Sequence, residues 1–164
     1  MPLSPRNHFG TFGGFLRLAG LIVAGHLAIS AAPARASAGE DAAERPDEIV
    51  AADRAIDHKD YGKAIHLVTA YLQQNPGDAD GLTVLGTAYL DSGDTANAIA
   101  TLEKSLTKDS GRLETNAELG RAYLMAGNVP AAEARLRHLD RLCFFGCNEE
   151  RQLKAEIGDY KSKH

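Results

Sequence analysis

The chain has 164 residues, enough for one domain of ordinary size, and an average composition of 44% hydrophobic and 24% charged residues, which excludes a disordered acidic tail, a collagen and a multidomain enzyme. Its 18 Lys and Arg against 22 Asp and Glu give a formal net charge of -4, so there is no basic footprint for nucleic acid. That charge is unevenly placed: all 22 carboxylates lie at or beyond Glu40, whereas residues 1–38 carry Arg6, Arg17 and Arg35 and no acid.

Residues 1–38 have the layout of a secretory signal peptide. A segment with Arg6, His8 and Arg17 precedes an apolar stretch over 18–34, and the small residues Ala34-Arg35-Ala36-Ser37-Ala38 follow it. Cleavage is predicted after Ala38, with a cut after Ala36 as second choice. The competing reading is a retained membrane anchor. The 17-residue stretch, interrupted by His26 and Ser30, falls short of the roughly 20 apolar residues a spanning helix needs. No cysteine follows it, so a lipoprotein anchor is excluded. An Ala-rich signal of this kind points to bacterial export and a periplasmic or secreted product, with no membrane association once the signal is removed. Removing three of the 18 cations and no acid leaves 15 against 22, a working charge of about -7. Residues 39–44 read as a short linker.

From residue 45 the sequence repeats every 34 residues. Ala64, Ala98 and Ala132 share one column; Leu85 and Gly86 match Leu119 and Gly120; Ala88-Tyr89-Leu90 match Ala122-Tyr123-Leu124, and Gly93 matches Gly127. A 34-residue period of paired helical patterns resembles the tetratricopeptide repeat. The tryptophan column of that pattern holds Glu48, Leu82 and Asn116 instead. The repeats fall at 45–78, 79–112 and 113–142, followed by a cysteine loop and capping helix over 143–164.

Each column has a physical reason. Leu85, Ala88 and Tyr89, and likewise Leu119, Ala122 and Tyr123, make one apolar helix face. Gly86 and Gly120 let the second helix approach closely, although glycine costs a helix interior roughly 0.5–1 kcal/mol. Ser92-Gly93-Asp94 and Ala126-Gly127-Asn128 are turns, with Gly in a left-handed cap and Asp or Asn starting the next helix. Ala98 and Ala132 sit where paired helices cross. The first repeat is degenerate, with Ala51, Ala52, Ala55 and Lys59 in the Leu, Gly, Tyr and turn-glycine columns; its second half runs regularly from Tyr61 to Asn75-Pro76, where Pro stops the helix. Leu153, Ile157 and Tyr160 give a last amphipathic helix that caps the array. Helices are predicted near 47–58, 61–74, 80–92, 95–108, 114–126, 129–142 and 148–162. The resemblance implies an all-α fold, a right-handed solenoid of three repeats plus the cap.

The sequence holds no Ser, His and Asp arrangement, phosphate loop or HExxH motif, so no catalytic residue, metal ligand or cofactor is expected. His58, His66, His138 and His164 share no metal-ligand spacing on one helix, and Glu149-Glu150 favour a helix start. The resemblance places a peptide-binding groove along the first helices, with candidates Ile49, Asp53, Thr83, Thr87, Asp91, Glu118 and Arg121. Chaperone-binding members of the family grip a terminal carboxylate with Lys, Asn and Arg; here those places hold Ile49, Asp53, Val84, Glu114 and Glu118, so the clamp is absent and its charge reversed. The expected partner is a protein or extended peptide with aliphatic and basic groups, Arg121 being a cation for a carbonyl or carboxylate. Ile49, Val84 and Leu90 fit helix packing equally well. Self-association through the degenerate first repeat is a further reading.

Cys143 and Cys147 stand four apart, which brings α-carbons within disulfide range, and an exported protein oxidises them. The expected bridge fixes the turn before the capping helix while Phe144 and Phe145 cover the core's end. The alternative is accessory thiol or copper handling through the same two thiols. Thioredoxin-type C-x-x-C spacing, a Met cluster and C-x-x-C-H for haem are all missing.

Overall fold

The computed structural model describes residues 45–164, and among them every regular element is an α-helix. These are α1 Asp47–Asp57, α2 Tyr61–Gln74, α3 Ala79–Asp91, α4 Thr95–Lys108, α5 Leu113–Met125, α6 Val129–Leu142 and α7 Asn148–Lys163. Every predicted helix is present, its ends displaced by one residue at most. The signal segment 1–38 and the linker 39–44 lie outside the described residues.

Local chemistry sets the boundaries. The turns inside the three pairs pass through left-handed backbone at Lys59 (φ 60°), Gly93 (φ 89°) and Gly127 (φ 74°). Two of these residues are glycines, which pay no Cβ penalty there, and one is a lysine, which does. The next helix then starts on an acceptor side chain: Asp60, Asp94 and Asn128 each take a backbone N–H three residues on at 3.2 Å, and Asp78 does so for α3 at 2.6 Å.

Packing sorts the helices into two layers. Neighbours along the chain touch throughout, and so do α1 with α3, α3 with α5 and α5 with α7, whereas α2, α4 and α6 do not touch one another. Odd-numbered helices therefore form a continuous inner layer and even-numbered ones splay apart outside it, the curvature of a solenoid. The core runs along the seam in three linked clusters. The first is built around Ile49, Ala52, Val68 and Ala88, the second around Leu90, Ala98, Leu102 and Leu119, the third around Leu124, Ala132, Leu139, Leu153 and Ile157.

The two helix glycines mark the tightest approaches. A Cβ on Gly86 would meet Leu102 of its own pair at 2.5 Å, as the repeat pattern predicts, but a Cβ on Gly120 would meet Leu153 of α7 at 2.5 Å. The capping helix, not α6, is thus the close neighbour in the third repeat. A second departure is a buried hydroxyl cluster joining α3, α4 and α5. The Thr83 hydroxyl lies 2.7 Å from that of Thr115 and 3.0 Å from that of Ser105, and both Thr83 and Ser105 donate to the Ala79 carbonyl at 2.8 Å. All three side chains are fully buried. Each hydroxyl has a partner, so the desolvation cost of burying it is met.

Candidate binding site on the inner face

The inner face carries a chain of ion pairs that runs across repeats. Arg45 donates to Asp53 of α1 at 2.5 Å and to Asp80 of α3 at 2.8 Å, and Arg112 at the start of α5 donates to Asp80 at 2.6 Å. Farther along, Arg121 of α5 bonds to Asp91 of α3 and lies 3.3 Å from Glu118 one turn earlier. Asp53, Asp91, Glu118 and Arg121 therefore all reach this face. Arg121, expected as a cation for a ligand, is already held by two carboxylates. Thr87 is half-buried, its hydroxyl donating to the Thr83 carbonyl at 3.1 Å.

Ile49 and Thr83 are corrected. Both have no exposed surface, Ile49 in the first core cluster and Thr83 in the hydroxyl cluster, so neither can touch a ligand. They occupy the edge of the helix that turns toward the adjoining helices, where a sequence pattern cannot separate groove from seam. Val84 and Leu90, which fit packing equally well in sequence, are also core.

Beyond Arg121 the face opens into a cleft of about 290 Å³ between α5 and α7. Glu114, Ala117, Glu118 and Arg121 form one wall, and Asn148, Glu149, Gln152, Leu153 and Glu156 the other. The Glu118 carboxyl is pushed up to about 7. Burial is the main cause, Arg121 offsets part of it, and the carboxylates of Asp91, Glu114 and Glu156 add to it. Its Oε2 is buried and accepts no hydrogen bond. Glu114 is shifted upward as well, again chiefly by burial. This is a polar slot with more anionic groups than cations, suited to a cationic guest.

The wall from α7 is what sequence reasoning missed, because that helix was expected only to cap. Its signal was available: Gln152 and Glu156 sit one turn apart beside the buried positions Leu153 and Ile157, where groove residues of an inner-layer helix belong. Arg45 and Arg112 were also missed, since they precede their helices and reach the face only through long side chains.

Cys143 and Cys147 are joined in a disulfide with Cα atoms 5.5 Å apart, closing the loop between α6 and α7. The expectation for the two phenylalanines is corrected: Phe144 is 89% exposed and Phe145 95%. In so short a ring the cysteines turn inward and the three residues between them, the two phenylalanines and Gly146, point out. The core's end is closed instead by Leu153, Ile157 and Tyr160 of α7. Among the described residues no group of three or more His, Cys, Asp or Glu is placed to hold a metal ion. His138 is within 3.3 Å of the Ser110 carbonyl, and His164 stacks on Tyr160. No helix among the described residues is long and apolar enough to cross a membrane.

An all-α array whose odd helices line a concave surface defines a helical-repeat solenoid. Models of the tetratricopeptide repeat match residues 49–112 and 89–142, and the chain belongs to the tetratricopeptide repeat family. Over 55 residues, 34% of the chain, it is 46% identical to the cellulose synthase operon protein C of Escherichia coli K12, of which the match covers 5%. The chain thus spans a small fraction of that relative's length. Its fold is similar to the TPR domain of Arabidopsis OM64 (TM-score 0.62, 17% identity, 69% of this chain and 93% of that one). It is similar also to the second TPR domain of human RPAP3, solved in complex with the HSP70 peptide SGPTIEEVD (TM-score 0.61, 17% identity, 68% and 92%).

Proposed function

We propose that the chain is a non-enzymatic interaction scaffold of the bacterial periplasm that binds an extended segment of another protein along its inner face, seating a basic side chain in the cleft between α5 and α7. The single observation that carries this is the cleft itself, a preformed slot beside Asp91 and Arg121 whose lining includes Glu114, Glu118, Glu149 and Glu156. Stacked repeats hold such a surface without a ligand, so binding need not pay to order it. The RPAP3 domain holds a peptide ending in two glutamates, a valine and an aspartate; the reversed charge here favours the opposite ligand. The signal-peptide layout of residues 1–38 and the Cys143–Cys147 bridge support an exported, oxidised setting.

Two synthetic peptides test this by fluorescence anisotropy: one alternating Leu and Arg, the other with Glu in place of Arg. The basic peptide is expected to bind, weakening with salt, and to lose at least about fivefold in affinity, near 1 kcal/mol, in the Glu118→Gln, Glu156→Gln double variant. Equal binding of both peptides sinks the reading. Isolation from a periplasmic fraction with an N-terminus at Gly39 or Ser37 supports export; a retained Met1 counts against it.

A further inference from the structure

Two features of the described surface have no use in the inner-face reading. One is the pair Phe144 and Phe145, which touch each other edge to face with ring centres 5.0 Å apart and are almost wholly exposed. Their loop is held at both ends, by Leu142 closing α6 and Asn148 opening α7, and tied across by the disulfide and by the Gly146 N–H donating to the Cys143 carbonyl at 3.0 Å. Such a loop loses little freedom on docking.

The other feature lies on the outer side, where the even helices splay. Two notches there are related by the 34-residue repeat. Between α2 and α4 one of about 410 Å³ is floored by Leu72 and Leu85; between α4 and α6 another of about 350 Å³ is floored by Leu106 and Leu119 in the corresponding columns. They differ in their fitness for an apolar guest. In the second, Tyr123 bonds to Glu103 at 2.6 Å across the site, and Arg135 and His138 add charge. In the first, Thr69 and Thr101 stand in the columns of Glu103 and Arg135 and leave a mostly apolar floor, with Lys104, in the column of His138, at the rim.

We infer that the Phe144–Phe145 loop of one copy seats in the α2–α4 notch of a second copy, and reciprocally, giving a two-fold dimer. The loop cannot reach the notch of its own chain, because it is anchored on α6 and α7 and neither touches α2. A self-complementary pairing of distant patches closes when both contacts form at once. Four phenylalanines bury roughly 600–1,000 Å², and the walls of the two small notches add little to it. That places the contact near the lower bound of stable interfaces, so the dimer is weak and concentration-dependent. Lys104 at the rim can lie over a ring face, which favours an aromatic guest over an aliphatic one.

Sedimentation velocity across micromolar concentrations tests the proposal on the purified chain. Wild type is expected to pass from monomer to dimer. The exposed-site variants Phe144→Ser, Phe145→Ser together, and Ala100→Arg at the notch mouth, are each expected to stay monomeric with unchanged helical circular dichroism. A wild type that is monomeric throughout, or a dimer that survives either the double Ser substitution or Ala100→Arg, overturns the proposal. So does Phe-dependent cosedimentation with phosphatidylcholine and phosphatidylglycerol vesicles in the absence of any dimer, which assigns the loop to a lipid surface.

Discussion

The backbone of Gly86 lies against Leu102 so closely that a single added carbon would come within 2.5 Å of the Leu102 Cγ and 2.7 Å of one of its methyl groups. The glycine therefore sets the separation of α3 and α4, and through it the position of every inner-layer residue on α3.

Gly86→Ala is expected to destabilise the fold by about 1–3 kcal/mol, because the core leucine it displaces has no free space. Gly158 offers the internal control: it lies in α7 with nothing within 4 Å of its added carbon, so Gly158→Ala should stabilise by roughly 0.5–1 kcal/mol. Urea unfolding of both variants checks the pair, and a Gly86→Ala midpoint at or above wild type refutes the packing argument.

Lys59 adopts φ 60° in the turn where the other pairs use Gly93 and Gly127. A side chain there costs about 1–2 kcal/mol, and glycine gives some of this back as unfolded-chain entropy. Lys59→Gly is expected to raise stability by about 0.5–1 kcal/mol, read as a higher Tm with unchanged helical content.

The hydroxyl cluster predicts an asymmetry between two similar changes. Thr83 sits at its centre, bridging Thr115, Ser105 and the Ala79 carbonyl. Thr83→Val strands Thr115 without its acceptor, at about 1–3 kcal/mol. Thr115→Val leaves Thr83 still donating to Ala79 and should cost less. Denaturant midpoints for the two variants in that order check the network.

Glu118 should make the protein pH-sensitive in an unusual direction for a carboxylate. Because its folded value is about 7 against an ordinary 4.5, the folded state binds a proton that the unfolded chain does not, and stability falls as pH rises between those values. Full ionisation costs at most roughly 3 kcal/mol. Glu118→Gln removes that cost, and part of the gain is lost with the Arg121 contact. The variant should be about 1–2 kcal/mol more stable than wild type at pH 8 and little different at pH 4, while binding a basic peptide less well. Melting curves at the two pH values decide it.

Reducing the Cys143–Cys147 bridge, or replacing both residues by Ser, should cost about 2 kcal/mol in the chain-entropy model for so short a loop. Hydrogen exchange in α7 should accelerate more than in α1, since the loop joins α7 to the last repeat. Equal protection in oxidised and reduced protein would place the bridge outside the folding unit.

The fold was legible because repetition multiplies weak signals. One Leu-Gly pair means little, but Leu85-Gly86 and Leu119-Gly120 at the period of Ala64, Ala98 and Ala132 leave few alternatives, and every helix lies where the pattern puts it. The inner face was legible only in part. Asp53, Asp91, Glu118 and Arg121 lie on it, whereas Ile49, one turn from Asp53, and Thr83, about two turns from Asp91, are sealed in the seam. Helical periodicity locates a residue to within about a quarter turn, and that is the width of the boundary between groove and core. Side-chain reach is invisible to it altogether, so Arg45 and Arg112 could not be foreseen as the cations that neutralise Asp53 and Asp80. Exposure of Phe144 and Phe145 was missed for a different reason: hydrophobicity argues for burial, but the five-residue ring leaves them nowhere to fold back.

The splaying of α2, α4 and α6 gives the array a mechanical character. Contacts bridge neighbouring repeats through the inner layer and through α2 with α3 and α4 with α5, never from one outer helix to the next. Bending that opens or closes the outer gaps breaks no outer contact, so the inner layer acts as the neutral sheet of a leaf spring. A guest lodged between two outer helices would work as a shim, fixing the curvature and with it the spacing of the carboxylates a ligand meets on the opposite side.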